Sequence, residues 1–175
     1  MKSSFNRHNI SEAERCLIKW GIDYRKKDDG TLVVADLDVS SKGLNRLPDL
    51  RQVFVMGDFK CFNNNLTSLI GSPQEVRGSV LCSNNKLETM QGCPQQVGGG
   101  IYCYDNNLTN LEGIPEKFWI VSSRLGRFAN YAEIPEDIKF SPQTLAKLKE
   151  ARIIAESKKS VVLQRPLKVR PIKFD

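Results

Sequence analysis

Three segments of this chain repeat one another in 21-residue steps, and a repeat that short dictates stacking rather than a conventional globular core. Phe59-Lys60-Cys61-Phe62-Asn63-Asn64-Asn65-Leu66 is followed by Val80-Leu81-Cys82-Ser83-Asn84-Asn85-Lys86-Leu87. The third copy is Ile101-Tyr102-Cys103-Tyr104-Asp105-Asn106-Asn107-Leu108. Each copy continues through a second apolar position (Leu69, Met90, Leu111), then a Gly-x-Pro and a closing apolar residue (Val76, Val97, Phe118). A unit of this size cannot enclose its own apolar side chains, so neighbouring units must cover them.

The local pattern says how each unit is built. Phe59 and Cys61 alternate inward on a short strand, as do Val80 with Cys82 and Ile101 with Cys103. Stacking aligns these strands in parallel. Asn64, Asn85 and Asn106 stand where the chain turns away, where a side-chain amide satisfies backbone groups that the turn leaves unpaired. Gly and Pro punctuate the return path, which reads as irregular or a 3₁₀ turn rather than a helix. Degenerate units flank the three. Leu37 to Pro48 runs one residue longer, with Lys42 in the Asn position. Val121 to Pro135 runs one residue shorter, with Ser123 for Cys, Gly126 for Asn, and Phe128 and Tyr131 for the leucines.

With Leu at the fixed positions and Asn at the turn, the chain resembles the leucine-rich repeat family over roughly residues 37 to 135, in its short bacterial or tailed-phage form. It departs from that pattern in Cys61, Cys82 and Cys103, which occupy a usual Leu position. The resemblance implies an α/β-type repeat solenoid with a short parallel sheet on the concave face and an irregular convex side. It also implies a bacterial or phage protein that binds another protein, as an adaptor or inhibitor.

The ends read as caps and a tail. Ser11-Glu12-Ala13-Glu14 is a capping box that opens a helix presenting Cys16, Leu17 and Trp20, with Gly21 closing it. Asp28-Asp29-Gly30 between two apolar runs predicts a hairpin, so residues 1–36 form an N-terminal helix-hairpin cap. The solenoid then occupies 37–140. Pro142 starts a helix over 141–157, expected to lie on the last coil through Leu145 and Leu148. The basic tail, 158–175, reads as extended or disordered in isolation. It holds Lys158, Lys159, Arg165, Lys168, Arg170 and Lys173 against Asp175, so +5 of the formal +6 lies there and +1 elsewhere.

Several classes of function are disfavoured. No apolar run approaches the roughly 20 residues needed to span a bilayer, and the polar N-terminus lacks the apolar segment of a secretory signal, so a cytoplasmic protein is expected. Five cysteines, three at one repeat position, fit buried thiols better than a disulfide framework or a zinc site, and the single His8 offers no companion ligand. Cys103-Tyr104-Asp105 resembles the Cys-x-Asp of bacterial effector ubiquitin ligases, but it lies inside a repeat strand and their helical catalytic domain is absent. Gly98-Gly99-Gly100 lacks the Lys-Ser/Thr sequel of a phosphate loop. No catalytic residue, metal or cofactor is therefore assigned.

What remains is surface. The solvent-facing strand positions include Asp58, Ser79, Gly100 and, as the candidate binding face, Lys60, Phe62, Leu81, Ser83, Tyr102, Tyr104 and Asp105. The competing reading is that caps or tail cover them. Arg165, Lys168, Arg170 and Lys173 interleave with Leu167, Val169, Ile172 and Phe174, and this tail offers the alternative of nucleic-acid binding. A protein partner is the expectation preferred.

Overall fold

The computed structural model describes residues 10–163, so His8 and the tail residues Arg165, Lys168, Arg170 and Lys173 lie outside the described part. Contacts divide the chain into two compact units, with the division after Ser141.

The first unit opens with helix α1, Glu12–Trp20. Ser11 Oγ accepts from the Glu14 amide at 3.2 Å, and Gly21 ends the helix at φ +68°. The Glu14 carboxylate reaches back to the Ser11 backbone, and it also accepts from Tyr24 Oη and Lys26 Nζ, each at 2.9 Å, tying the helix to the hairpin that follows. That hairpin pairs β1 (Arg25–Lys26) with β2 (Leu32–Val34).

Beyond the hairpin the chain coils into a solenoid with two parallel sheets. One stacks β2, β4 (Val53–Val55), β6 (Glu75–Val76) and β8 (Gln96–Val97), with β1 antiparallel at its edge. The other stacks β3 (Leu37–Asp38), β5 (Phe59–Lys60), β7 (Val80–Leu81), β9 (Gly100–Tyr102) and β10 (Ile120–Ser123), and ends on antiparallel β11 (Gly126–Phe128). The register follows the repeat: Leu37, Phe59, Val80, Ile101 and Val121 pair in succession.

Two expectations change here. The return path is not simply irregular, because it carries the second parallel sheet, whose inward Val55, Val76 and Val97 form a buried column. That sheet also starts earlier than the repeat signature, since β2 of the hairpin is its first parallel strand. At the far end the degenerate unit from Val121 does not complete a coil. After β10 the chain reverses into β11, with Val121 opposite Phe128. The reason is local: Gly126 stands where the repeat has Asn, so no side-chain amide is available to tie a further turn to the coil before it.

The asparagine ladder shows what that tie does. Asn85 Oδ1 accepts from the Leu66 amide at 3.0 Å, while its Nδ2 donates to the carbonyls of Cys61 at 3.0 Å and Cys82 at 3.2 Å. Asn106 repeats this on Leu87, Cys82 and Cys103. Asn64 serves the first coil, accepting from Lys42 and Leu44 and donating to Val39. All three are buried, where an unpaired polar group costs about 1–3 kcal/mol. Inside the ladder, Leu66, Leu87 and Leu108 stack beside Cys61, Cys82 and Cys103 in one continuous buried core.

The corner between the sheets is as narrow as backbone allows. The Gly78 amide donates to the Gly57 carbonyl at 2.9 Å and the Gly99 amide to Gly78 at 2.8 Å. A Cβ on Gly78 would fall 2.6 Å from the Gly57 oxygen, so no side chain fits. After β11 come a 3₁₀ turn, Tyr131–Glu133, and the short helix α2, Glu136–Lys139. The second unit contains helix α3, Pro142–Leu163, which runs into the segment expected to be extended.

Candidate functional site

The outer face of the six-stranded sheet carries the seven candidate residues in stacked columns. Register places Asp38, Lys60, Leu81, Tyr102 and Ser122 in one column. Phe62, Ser83 and Tyr104 follow two residues on in the three repeats, and Asp105 sits beside them at the end of the column begun by Asn63 and Asn84. Asn63, Asn84 and Asp105 all have φ between +52° and +54°, the left-handed region that Asn and Asp tolerate better than most residues. Asn84 Nδ2 donates to Asn63 Oδ1 at 2.9 Å, linking two of these turns.

The face is not uniform along its length. At its N-terminal end polar groups satisfy one another: Lys60 Nζ lies 3.4 Å from Asp36 Oδ2, and Asp36 Oδ1 accepts from the Asp58 amide at 2.8 Å. Asp58 and Ser79, expected to face solvent freely, instead accept from the amides of Ser79 and Gly100 on the next coil. At the C-terminal end aromatic surface dominates, with Tyr102 37% and Tyr104 44% exposed, while Phe62 and Leu81 are half-buried.

Both tyrosines are held in place. The Tyr104 hydroxyl is hydrogen-bonded to Ser122 Oγ on β10, and Ser122 is itself buried. Gly100, expected to be a solvent-facing position, is buried because the Tyr102 ring lies over it. A Cβ there would stand 2.9 Å from the ring and 2.8 Å from Ile120 Cγ2.

Trp119 was not singled out by sequence reasoning, yet it is 79% exposed, the most open of the large apolar side chains among the described residues. It precedes β10 at the corner between the sheets, with its amide donating to the Gly99 carbonyl at 3.1 Å. The run Phe118 to Val121 reads as core by composition. The available signal was the last unit's missing residue, which shifts the register there.

A further cavity lies elsewhere, over the five-stranded sheet. It is an open groove of about 940 Å³ whose lining includes Glu75, Arg77, Gln96, Glu116, Lys117 and Tyr131. Its mixed lining gathers no recognisable catalytic set. Nearby, Phe54 has Lys27 Nζ at 5.5 Å and Arg77 Cζ at 5.1 Å from its ring centre, and Lys139 Nζ lies 4.2 Å from that of Tyr131.

The cysteines are free thiols, and Cys61, Cys82, Cys93 and Cys103 are buried. Burial pushes the Cys61 and Cys93 thiols up, and a hydrogen bond with Cys103 together with burial raises that of Cys82. Cys103 points into the core with its Sγ 3.6 Å from the Ser122 carbonyl, while Tyr104 and Asp105 are exposed, so the Cys-x-Asp triplet does not form a common surface. Among the described residues no group of three His, Cys, Asp or Glu side chains is placed to hold a metal, and no helix is long and apolar enough to cross a membrane.

No family model, curated protein or solved structure matches the chain.

Proposed function

We propose that this chain is a non-catalytic protein-binding module of the leucine-rich repeat kind, a small cytoplasmic adaptor or inhibitor of bacterial or phage origin. Its partner would bind the outer face of the six-stranded sheet. One observation carries the reading: Tyr102 and Tyr104 are exposed side by side on a backbone whose every coil is tied to the next. Tyrosine supplies large amphipathic contact area, and a preformed face loses little entropy on association. The family reading rests on the repeat signature, with the second parallel sheet as a departure from an irregular convex side.

The test is affinity capture with three baits: the full chain, a chain ending at Ser157, and a Tyr102→Ala/Tyr104→Ala variant. A protein retained by the first two and lost from the third is the expected result. The tail's charge of +5 supports a second reading, nucleic-acid binding. It predicts retention that falls steeply with salt and disappears with the truncation alone.

A further inference from the structure

The C-terminal end of the aromatic face differs from the rest in its charge as well as its exposure. Ser122 lies in the outward column with Tyr102, and its antiparallel partner on β11 is Arg127, so Arg127 projects from the same side of the sheet. Arg124 sits at the turn of that hairpin, and both arginines are exposed. Among the described residues neither forms an ion pair. This contrasts with the N-terminal end, where Lys60 already has Asp36. Trp119 stands just before the same strand, and its neighbour Ile120 shares the surface over Gly100 with Tyr102.

We infer that the partner is an acidic protein segment that docks on Tyr102, Tyr104 and Trp119 with its carboxylates on Arg124 and Arg127. This rests on the protein-binding reading above and narrows it to one end of the face and one chemical class. Trp, Tyr and Arg are the residue types that dominate binding energy at protein interfaces, and here they lie on or beside the last three strands of one sheet, β9, β10 and β11. Arginine's planar fork takes a carboxylate through two parallel hydrogen bonds, and among the described residues neither guanidinium has such a partner. Nucleic acid is the other anionic candidate. It commonly engages roughly 6–10 phosphates, whereas this end offers Arg124 and Arg127 against Asp105. That balance suits a few discrete carboxylates better than a phosphate track.

A randomised 12-residue peptide library displayed on phage, selected against the full chain, tests this directly. The expected binders are enriched in Asp and Glu with interspersed apolar residues. Their affinity falls by at least ~10-fold in Arg124→Glu/Arg127→Glu and in Trp119→Ala, as hot-spot losses do, and is unchanged in Lys19→Ala, an exposed cation on helix α1 away from the face. Circular dichroism confirms that these surface variants fold. Binders that are neutral or basic, or that ignore the arginine reversal, overturn the acidic-segment proposal. If such binders still need Tyr102 and Tyr104, the protein-binding reading of the face survives. A library yielding no binders overturns the proposal too, since a peptide segment is the ligand it names. A dT25 oligonucleotide that binds at physiological salt and is lost with the same reversal replaces it with nucleic-acid recognition.

Discussion

The Tyr104 hydroxyl is hydrogen-bonded to Ser122 Oγ on the neighbouring strand, so the most C-terminal tyrosine of the candidate face is fixed before any partner arrives. Ser122→Ala and Tyr104→Phe should each cost about 0.5–1.5 kcal/mol of stability in urea denaturation. Combined, they should cost less than their sum, because each removes the same bond. Strict additivity would mean that the bond contributes nothing.

The asparagine ladder makes the solenoid depend on its amides. Asn85→Leu keeps the bulk but strands the buried Leu66 amide and leaves the Cys61 carbonyl with Asn64 alone, and a loss of about 1–3 kcal/mol is expected. Asn85→Asp keeps the acceptor but turns a carboxylate oxygen toward the carbonyls of Cys61, Cys82 and Ser83, so it should destabilise at pH 7 and recover partly on acidification. A pH-independent loss would speak against this geometry.

At the corner between the sheets, Gly78→Ala should be far worse than alanine at an ordinary glycine, because its Cβ would meet Gly57 backbone at 2.6 Å. Gly43 provides the comparison: nothing lies within 4 Å of a Cβ there, and only its φ of +66° opposes substitution. Thermal melts should show Gly43→Ala losing about 1 kcal/mol, in line with left-handed strain alone, and Gly78→Ala losing clearly more. Equal losses would mean that the corner yields easily.

Glu14 links the N-terminal helix to the hairpin, and its linkage has a definite sign. Burial alone would raise its carboxyl, but the hydrogen bonds from Lys26 and Tyr24 outweigh it and hold the pKa below the ordinary value. The contribution is therefore complete above the unfolded pKa of about 4.3 and is lost as pH falls through the lower folded value. Wild type should exceed Glu14→Gln in stability at pH 6 by more than at pH 3. A gap that stays constant would show the carboxylate to be unimportant.

What the sequence made legible follows from which columns are strict. Phe59, Val80 and Ile101 with the cysteines two residues on, and Asn64, Asn85 and Asn106 at the turn, recur without exception, because each holds one coil to the next. The second sheet was hidden. Strands of two or three residues such as Glu75–Val76 are too short to show alternation, and their neighbours are the glycines and prolines that signal a turn. Trp119, Arg124 and Arg127 were hidden for another reason. Their surface position follows from the broken register and the closing hairpin, and the sequence alone shows the missing residue but not where the chain goes next. The seven candidate positions on the sheet were found because strand alternation alone separates outward from inward there. Position says nothing of charge satisfaction, which distinguishes Lys60 from Arg127.

The measurement that bears most directly on the central claim is the affinity of the captured partner for wild type and for Tyr102→Ala/Tyr104→Ala by calorimetric titration. Tyr131→Ala, which alters the groove over the other sheet, serves as the control. Loss of two aromatic anchors should weaken binding by roughly 30-fold or more, with the Tyr131 variant near wild type. Full affinity in the double variant, or a loss confined to Tyr131→Ala, would place recognition elsewhere on the molecule.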